Sequence, residues 1–146
     1  MSRPILHATD FSPASRAAFA KAIELARRDR APLLIAHVMT PPLPMLGDGY
    51  VSPTTWDEIE RSYRTASQKK LDAAVARAKA AGVRARGMLL QGLPHEQIVR
   101  AARAQRARLL VVGTHGRSGV ARFFVGSVAG RVVASAPCPV VTVRGR

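Results

Sequence analysis

The chain of 146 residues is 47% hydrophobic and 22% charged, which is the composition of a globular domain and not of a disordered chain. It contains no apolar run near the ~18 residues that a membrane span requires. The N-terminal segment turns polar at Thr9-Asp10, too early for a signal peptide, and the single cysteine, Cys138, excludes an internal disulfide and a cysteine-cluster metal site. We expect one domain over residues 1–146, located in the cytoplasm and not in a membrane.

The chain is strongly basic, with 23 Lys and Arg against 9 Asp and Glu and a formal charge of +14. One interpretation is binding to nucleic acid or another polyanion. The other is an arginine-rich background, because Arg outnumbers Lys 19 to 4 and the basic residues are spread along the predicted helices without interleaved aromatic residues. We favour the second interpretation, so nucleic acid is not an expected partner, and we keep a polyanion-binding module as an alternative.

Apolar runs and turn residues alternate along the whole chain. The predicted strands are Ile5–Thr9, Pro32–Met39, Val83–Leu90, Leu109–Val112 and Pro139–Val143. The predicted helices are Pro13–Arg30, Thr54–Ala81, a helix that opens at Pro94, and Val128–Ser135. Ser12 should cap the first helix, and Gly82 should end the second. A long proline-rich loop is predicted over residues 40–53.

Strict alternation of short buried strands with helices predicts a three-layer α/β/α domain with a parallel sheet, a Rossmann-like fold. In such sheets ligands bind beyond the carboxyl ends of the strands, where the winding reverses. Polar or glycine-rich sequence follows two strands, as Thr9-Asp10 after the first and Gly113 onward after the fourth. If these loops flank the point where the winding reverses, which we call the switch point, the first and fourth strands are neighbours and the strand order is 3-2-1-4-5.

The loop after the fourth strand has the form strand, glycine loop, helix. It reads Gly113-x2-Gly116, then nine residues, then Gly126-Ser127. Glycines let a backbone approach a phosphate closely, and a helix N-terminus presents N–H groups and a favourable dipole. Neither of the standard phosphate-binding fingerprints is present. The alternative is a tight turn with no ligand.

These segments resemble the universal stress protein family. The likeness rests on the glycine signature, on Ile5 to Ser12 as a first strand with its aspartate, on His37-Val38, on Gly92-Leu93-Pro94, and on the closing strand from Cys138 to Arg144. In that family the signature marks the members that bind ATP. The resemblance therefore implies an ATP-binding protein of the adenine nucleotide α-hydrolase-like fold that acts in stress response.

The resemblance also implies which residues surround the nucleotide. Ala8, Thr9 and Asp10 would lie at the adenine and ribose end, and Val38 and Met39 would give backbone contacts to adenine. Val112 and Gly113 would border the ribose. The phosphates would be surrounded by Gly116, Arg117, Gly126, Ser127 and Val128. The carboxylate of Asp10 can accept hydrogen bonds from ribose hydroxyls, whereas it would repel a phosphate.

Three functions remain open from the sequence. The first is an ATP-binding regulatory or sensor module. The second is a slow ATPase or a phosphoryl- or adenylyl-transfer enzyme at the same site, and the third is the polyanion-binding module. We expect the first, because no base is evident beside the phosphates and efficient turnover needs one. The four histidines show no metal-ligand spacing, so any Mg²⁺ would be held by the ATP phosphates.

The last strand contains Val140, Val141 and Val143, and the expected strand order puts it at a sheet edge. Exposed apolar edges favour pairing with another strand. The family resemblance implies antiparallel pairing with the same strand of a second copy. We therefore expect a homodimer.

Overall fold

The computed structural model describes residues 2–40, 52–114 and 127–145. The strands are β1 (Ile5–Ala8), β2 (Leu33–Met39), β3 (Ala85–Gln91), β4 (Leu109–Gly113) and β5 (Val140–Val143). The helices are α1 (Ser15–Asp29), α2 (Pro53–Ala80), α3 (Pro94–Ala104) and α4 (Ser127–Ser135). No helix in the described ranges is long and apolar enough to cross a membrane.

The five strands form one parallel sheet in the order β3-β2-β1-β4-β5, which confirms the predicted order. The central strand, β1, aligns Ile5 with Leu33 of β2 and with Leu109 of β4. The winding reverses between β1 and β4. The carboxyl ends of these two strands therefore meet at the switch point, as expected from the two polar loops.

Each face of the sheet is covered by two helices, which gives three layers. Ile5, Leu33 and Val111 lie in the apolar cluster that includes residues of α1 and α2. Leu6 and Leu110 point to the other face and lie in the cluster that includes residues of α3 and α4. The three inner strands, β1, β2 and β4, are mostly apolar on both faces because both of their faces are buried.

The ends of α1 and α2 show how the local sequence sets the boundaries. The Ser12 hydroxyl accepts the Ser15 N–H at 3.3 Å, but α1 begins at Ser15, with Ala14 at its N-cap position and no side-chain cap. Ser12 therefore holds the turn that precedes α1 and does not cap the helix as predicted. After α2, Gly82 has φ +86°. Its N–H bonds to Lys79 O, and the Val83 N–H bonds to Ala78 O, which is the Schellman arrangement. Because Val83 completes this helix end, β3 begins two residues later than predicted, at Ala85.

Candidate nucleotide-binding site

A cavity of about 430 Å³ opens at the carboxyl ends of β2, β1 and β4. It lies at the switch point, where ligands bind in sheets of this kind. Its size falls in the range of small-molecule sites. Its described lining comprises Ala8, Thr9, Asp10, Ser15, Ala36, His37, Val38, Thr40, Tyr63, Pro94, Ile98, Val112, Gly113, Thr114, Ser127, Val128 and Ala129.

The turn after β1 is held by a directed chain of hydrogen bonds. The Ser15 hydroxyl donates to Ser12 O at 2.8 Å. A hydroxyl carries one hydrogen, so in the 3.1 Å contact between Thr9 Oγ1 and Ser15 Oγ the threonine is the donor. Thr9 Oγ1 also accepts the Phe11 N–H at 3.0 Å. These bonds tie the end of β1 to the start of α1 and fix the backbone on both sides of Asp10.

Asp10 is held in an Asx turn at the mouth of the cavity. Its Oδ1 accepts the Ser12 N–H at 2.9 Å. Phe11, the next residue, has φ +62°, an uncommon conformation for a residue with a side chain. The turn fixes the orientation of the carboxylate, and a carboxylate oxygen has more than one lone pair with which to accept further hydrogen bonds. Asp10 is therefore a pre-oriented acceptor among the residues that line the cavity.

On the β2 side the cavity wall is formed by His37 and apolar side chains. His37 Nδ1 lies 2.8 Å from Thr9 O, and since a carbonyl oxygen only accepts, Nδ1 carries the proton. This bond joins the ends of β1 and β2. The Phe11 ring packs on the imidazole with centroids 4.4 Å apart. Val38 and Ile98 continue the wall as apolar surface.

On the β4 side the cavity reaches the start of a helix. The Thr114 N–H donates to Val143 O at 2.9 Å, which extends the β4–β5 pairing past the end of β4. Ser127 is the first residue of α4 and is exposed. The N-terminus of a helix has unpaired N–H groups and a positive dipole end. This side of the cavity therefore favours an anionic group.

Behind the site, the β1 histidine is fully buried. His7 Nδ1 lies 3.0 Å from Val111 O and donates to it, while Nε2 has no hydrogen-bond partner among the described residues. Burial lowers the pKa of His7 from 6.5 to about 4, partly offset by the bond to Val111. The imidazole is thus neutral at physiological pH and packs against Phe19, with ring centroids 5.7 Å apart. As expected, His7 and His37 lie within strands.

Most of the site residues expected from the sequence come together around the cavity. These are Ala8, Thr9, Asp10, Val38, Val112, Gly113, Ser127 and Val128. Met39 is 2% exposed and does not line the cavity, so a backbone contact from it to adenine stays a prediction. Gly116, Arg117 and Gly126 lie outside the described residues, and their roles also stay predictions.

Several residues that line the cavity were not expected from the sequence, among them Tyr63 of α2 and Ile98 of α3. Helical periodicity does not distinguish an apolar residue that packs in the core from one that borders a cavity above it. His37 had a usable signal, since it is a polar residue near the end of a buried strand that reaches the predicted ligand edge. Within the described ranges, no group of three or more His, Cys, Asp or Glu side chains is placed to hold a metal ion.

Comparisons with known proteins agree with this architecture. Residues 1–144 match the model of the universal stress protein family. A universal stress protein of Thermus aquaticus is 35% identical over 144 residues, covering 99% of this chain and 100% of that protein. The universal stress protein YxiE of Bacillus subtilis is 32% identical and covers 99% of this chain and 100% of its own length.

Solved structures of universal stress proteins share the fold of this chain. UspA from Lactobacillus plantarum superposes with a TM-score of 0.79 at 25% identity, covering 99% of both chains. A universal stress protein in complex with cAMP has a TM-score of 0.72 at 29% identity, covering 99% of this chain and 98% of that one. A universal stress protein from Archaeoglobus fulgidus in complex with dAMP has a TM-score of 0.67 at 26% identity and covers 97% of each chain. By the family match, the relatives and the shared fold, this chain belongs to the universal stress protein family.

Proposed function

We propose that the cavity binds ATP and that the protein is a nucleotide-dependent regulatory or sensor module of the stress response. The observation that carries this proposal is the order of surfaces across the cavity. An apolar wall lies at β2, a carboxylate follows β1, and a helix N-terminus lies beside β4. From β2 to β4 is two strand spacings, roughly 10 Å. This order suits an elongated ligand with an apolar base, a polar sugar and an anionic end.

The β2 side is the proposed site for adenine. Val38, Tyr63 and Ile98 supply apolar and aromatic surface there. A flat heterocycle gains from burial against such surface, and backbone groups at the end of β2 would supply the polar contacts. Met39, whose side chain is buried, would take part through its backbone alone.

Asp10 is the proposed partner of the ribose hydroxyls. The Ser12 N–H already orients Oδ1 of Asp10. The carboxylate can therefore accept a hydrogen bond from a ribose hydroxyl without rearrangement of the turn. The same negative charge would repel a phosphate group. Asp10 therefore sets the direction of the ligand, with the sugar at the middle of the cavity and the phosphates beyond it.

The phosphates are proposed to lie at the start of α4. Ser127 offers a hydroxyl and stands where the helix dipole favours negative charge. Following the family resemblance, Gly116, Arg117 and Gly126 would complete this part, and a Mg²⁺ ion bound together with ATP would neutralise part of the phosphate charge. Among the described lining residues, Asp10 is the only carboxylate, and we assign it to the ribose. The proposal is therefore binding and not efficient hydrolysis.

Two of the structural relatives support an adenine nucleotide as ligand. One is in complex with cAMP and the other with dAMP. Both share with this chain the whole fold that positions the cavity. The triphosphate, and not a monophosphate, is proposed because the glycine signature extends to Gly126-Ser127.

We also propose a homodimer that forms through β5. This strand is at the sheet edge, and Val140, Val141 and Val143 are only partly buried there. Pro139 O and Val143 O accept from β4, so the peptide groups of the intervening even-numbered residues face away from β4. A second copy of β5 would pair with these outward groups.

The experiment for the ribose contact is a double-mutant cycle between protein and ligand. Affinities of the wild type and of Asp10→Asn are measured by calorimetry for ATP and for 2′,3′-dideoxy-ATP. Asparagine keeps the oxygen that accepts the Ser12 N–H and removes the charge. We expect Asp10→Asn to weaken ATP binding about tenfold or more, as for the loss of a hydrogen bond to a charged group, and to leave dideoxy-ATP binding nearly unchanged.

The matched control is Glu24→Gln, which removes one carboxylate charge from the exposed surface of α1. It should leave both affinities unchanged. If Asp10→Asn instead strengthens the binding of both nucleotides by the same factor, Asp10 faces the phosphates and the proposed direction of the ligand is wrong. If neither nucleotide binds the wild type, the proposal fails as a whole.

A further inference from the structure

The end of the sheet opposite the cavity collects basic residues that are scattered along the sequence. All strands are parallel, so their amino ends lie together with the carboxyl ends of the helices. We call this surface the basic end. It comprises Arg3, Arg27, Arg28, Arg30, Lys79, Arg84, Arg86, Arg103, Arg106 and Arg108, all of which are exposed.

Hydrogen bonds between neighbouring segments make the basic end one continuous surface. Arg3 Nε donates to Arg106 O at 2.9 Å, and the Arg108 N–H donates to Pro4 O at 2.9 Å. On the β3 side, Arg84 O accepts the N–H of the first β2 residue at 2.8 Å. The Arg86 guanidinium reaches Gln105 Oε1 at 2.7 Å. The surface therefore extends from β3 to β4.

Among the described residues, Asp29 is the carboxylate at this end that arginines pair with directly, and Glu24, one helical turn before Arg28 on α1, also acts on the Arg28 charge. Asp29 accepts from Arg28 Nε at 2.8 Å and lies 3.5 Å from the Arg108 guanidinium. The hydrogen bond from Arg28 lowers the pKa of Asp29, so this carboxylate is ionised and engaged. Five arginines have no side-chain hydrogen bond or ion pair within the described part of the chain, and these are Arg27, Arg30, Arg84, Arg103 and Arg106.

Two of these five arginines are in a backbone conformation that normally favours glycine. Arg30, the residue after α1, has φ +51°, and Arg106, two residues after the end of α3, has φ +53°. At the corresponding position after α2 the residue is Gly82. A residue with a side chain is strained in this region, so glycine would be the better choice for the helix ends alone. The two arginines point to a use of their side chains beyond folding.

Helix dipoles account for only part of the charge. Arg27, Arg28, Lys79 and Arg103 lie in the last turns of helices, where a cation is favourable. The other six lie outside helices, and three of them, Arg30, Arg84 and Arg106, have no side-chain partner within the described residues. Within the described residues, the exposed large apolar side chains are Ile59, Leu93, Val128 and Val133. Of these, only Val133, in the last turn of α4, lies at the same end of the sheet as the basic residues.

We propose that the basic end binds the phosphate backbone of duplex nucleic acid without reading its sequence. Arginine matches phosphate oxygens with paired donors. Within the described residues this end has no exposed aromatic side chain and, apart from Val133, no exposed large apolar one, so the surface is suited neither to stacking on bases nor to insertion into lipid. From β3 to β4 is three strand spacings, roughly 14 Å. A duplex presents about eight phosphate charges over that length. This proposal takes up the alternative that the sequence left open and does not depend on the nucleotide cavity.

The test is binding of the full chain to a fluorescein-labelled duplex of about 20 base pairs, followed by anisotropy between 50 and 200 mM KCl. If about six phosphates are neutralised, log K falls with log salt with a slope of about −5. The double variant Arg30→Gly, Arg106→Gly should weaken binding at least tenfold at low salt and make the slope shallower by about 2. Its melting temperature should be equal to or above that of the wild type, which separates loss of binding from loss of folding.

The control is Arg61→Gln, Lys70→Gln, which removes the same charge from the exposed surface of α2 and should change affinity by less than about twofold if binding is local. Equal weakening by both pairs would show attraction to net charge alone and overturn the proposal. Absence of salt-dependent duplex binding would also overturn it. Binding to vesicles of equal phosphatidylcholine and phosphatidylserine without binding to the duplex would assign the basic end to membranes instead.

Discussion

The buried imidazole of His7 should make the stability of the fold depend on pH over a defined range. Its pKa is about 4 in the folded protein and 6.5 in the unfolded chain. Because the folded-state pKa is depressed, the unfolded chain binds the proton first as the pH falls. The contribution to stability is complete above pH 6.5 and is lost progressively toward pH 4.

The magnitude follows from the two pKa values. One pKa unit corresponds to about 1.36 kcal/mol, so the complete loss is about 3 kcal/mol, of which about 2.5 kcal/mol is lost by pH 4.5. His7 is fully buried, and within the described residues its Nε2 has no hydrogen-bond partner. The bond from Nδ1 to Val111 O therefore offsets only part of the cost of protonation. A loss of this size is a large share of the stability of a small domain.

The assay is urea unfolding at pH 7.5, 6.5, 5.5 and 4.5 for the wild type and for His7→Asn. The asparagine amide keeps a donor for Val111 O but does not titrate. It also leaves a gap beside Phe19, so the variant should be less stable at every pH. The readout is therefore the decrease in unfolding free energy between pH 7.5 and pH 4.5. This decrease should be about 2.5 kcal/mol smaller in the variant than in the wild type.

The control Ile35→Val removes one buried methyl group from the core and changes no titratable group, so it should lower the unfolding free energy at every pH by about 0.5–1.5 kcal/mol and keep the wild-type slope. If His7→Asn has the same slope as the wild type, the pKa of His7 does not differ between the folded and the unfolded chain. The assignment of the acid sensitivity to His7 is then wrong.

Two further predictions concern packing and assembly. Gly87→Ala should lower the unfolding free energy by about 1–3 kcal/mol, because a Cβ there would lie 2.8 Å from Leu71 Cγ in α2. Its control, Gly130→Ala, meets nothing within 4 Å and should stabilise α4 by about 0.5–1 kcal/mol; equal effects in thermal unfolding would contradict the close α2–β3 packing. Thr142→Pro, which removes an outward N–H of β5 and leaves the β4 pairing intact, should convert a dimer into a monomer in sedimentation velocity at micromolar concentration. Thr142→Val should stay dimeric, and a monomeric wild type would refute the dimer.

The strand order could be predicted from the sequence because each strand carries its own signal. The β2 run from Leu33 to Met39 is apolar on both faces, which occurs when helices cover both sides of a sheet. Only the first and fourth strands are followed by sequence typical of a ligand-binding loop. Because such loops flank the point where the winding of the sheet reverses, β1 was predicted beside β4. The predictions were wrong at the ends of elements. For example, β3 was predicted to begin at Val83, but the Val83 N–H donates to Ala78 O at the end of α2 and the strand begins at Ala85.

The candidate site was predicted in its loops and strand ends but not in its helical walls. Asp10 and Ser127 follow strand and loop signals that are local in sequence. Tyr63 and Ile98 reach the cavity only because α2 and α3 cross the sheet at particular positions, and helical periodicity does not encode where a helix crosses. The basic end was missed for the same reason, since Arg3, Arg84 and Arg106 become neighbours only through the parallel arrangement of the strands.

The central claim is that this chain binds ATP in the cavity at the switch point. Calorimetric titration of ATP, with Mg²⁺, into the wild type and into Gly126→Val tests it most directly, since valine puts a branched side chain where the backbone is proposed to approach phosphate. The account predicts saturable binding of one ATP per chain to the wild type and a loss of at least about tenfold in affinity for the variant, the scale of one charge-assisted hydrogen bond. No binding to the wild type, or equal binding to the two proteins, would contradict it.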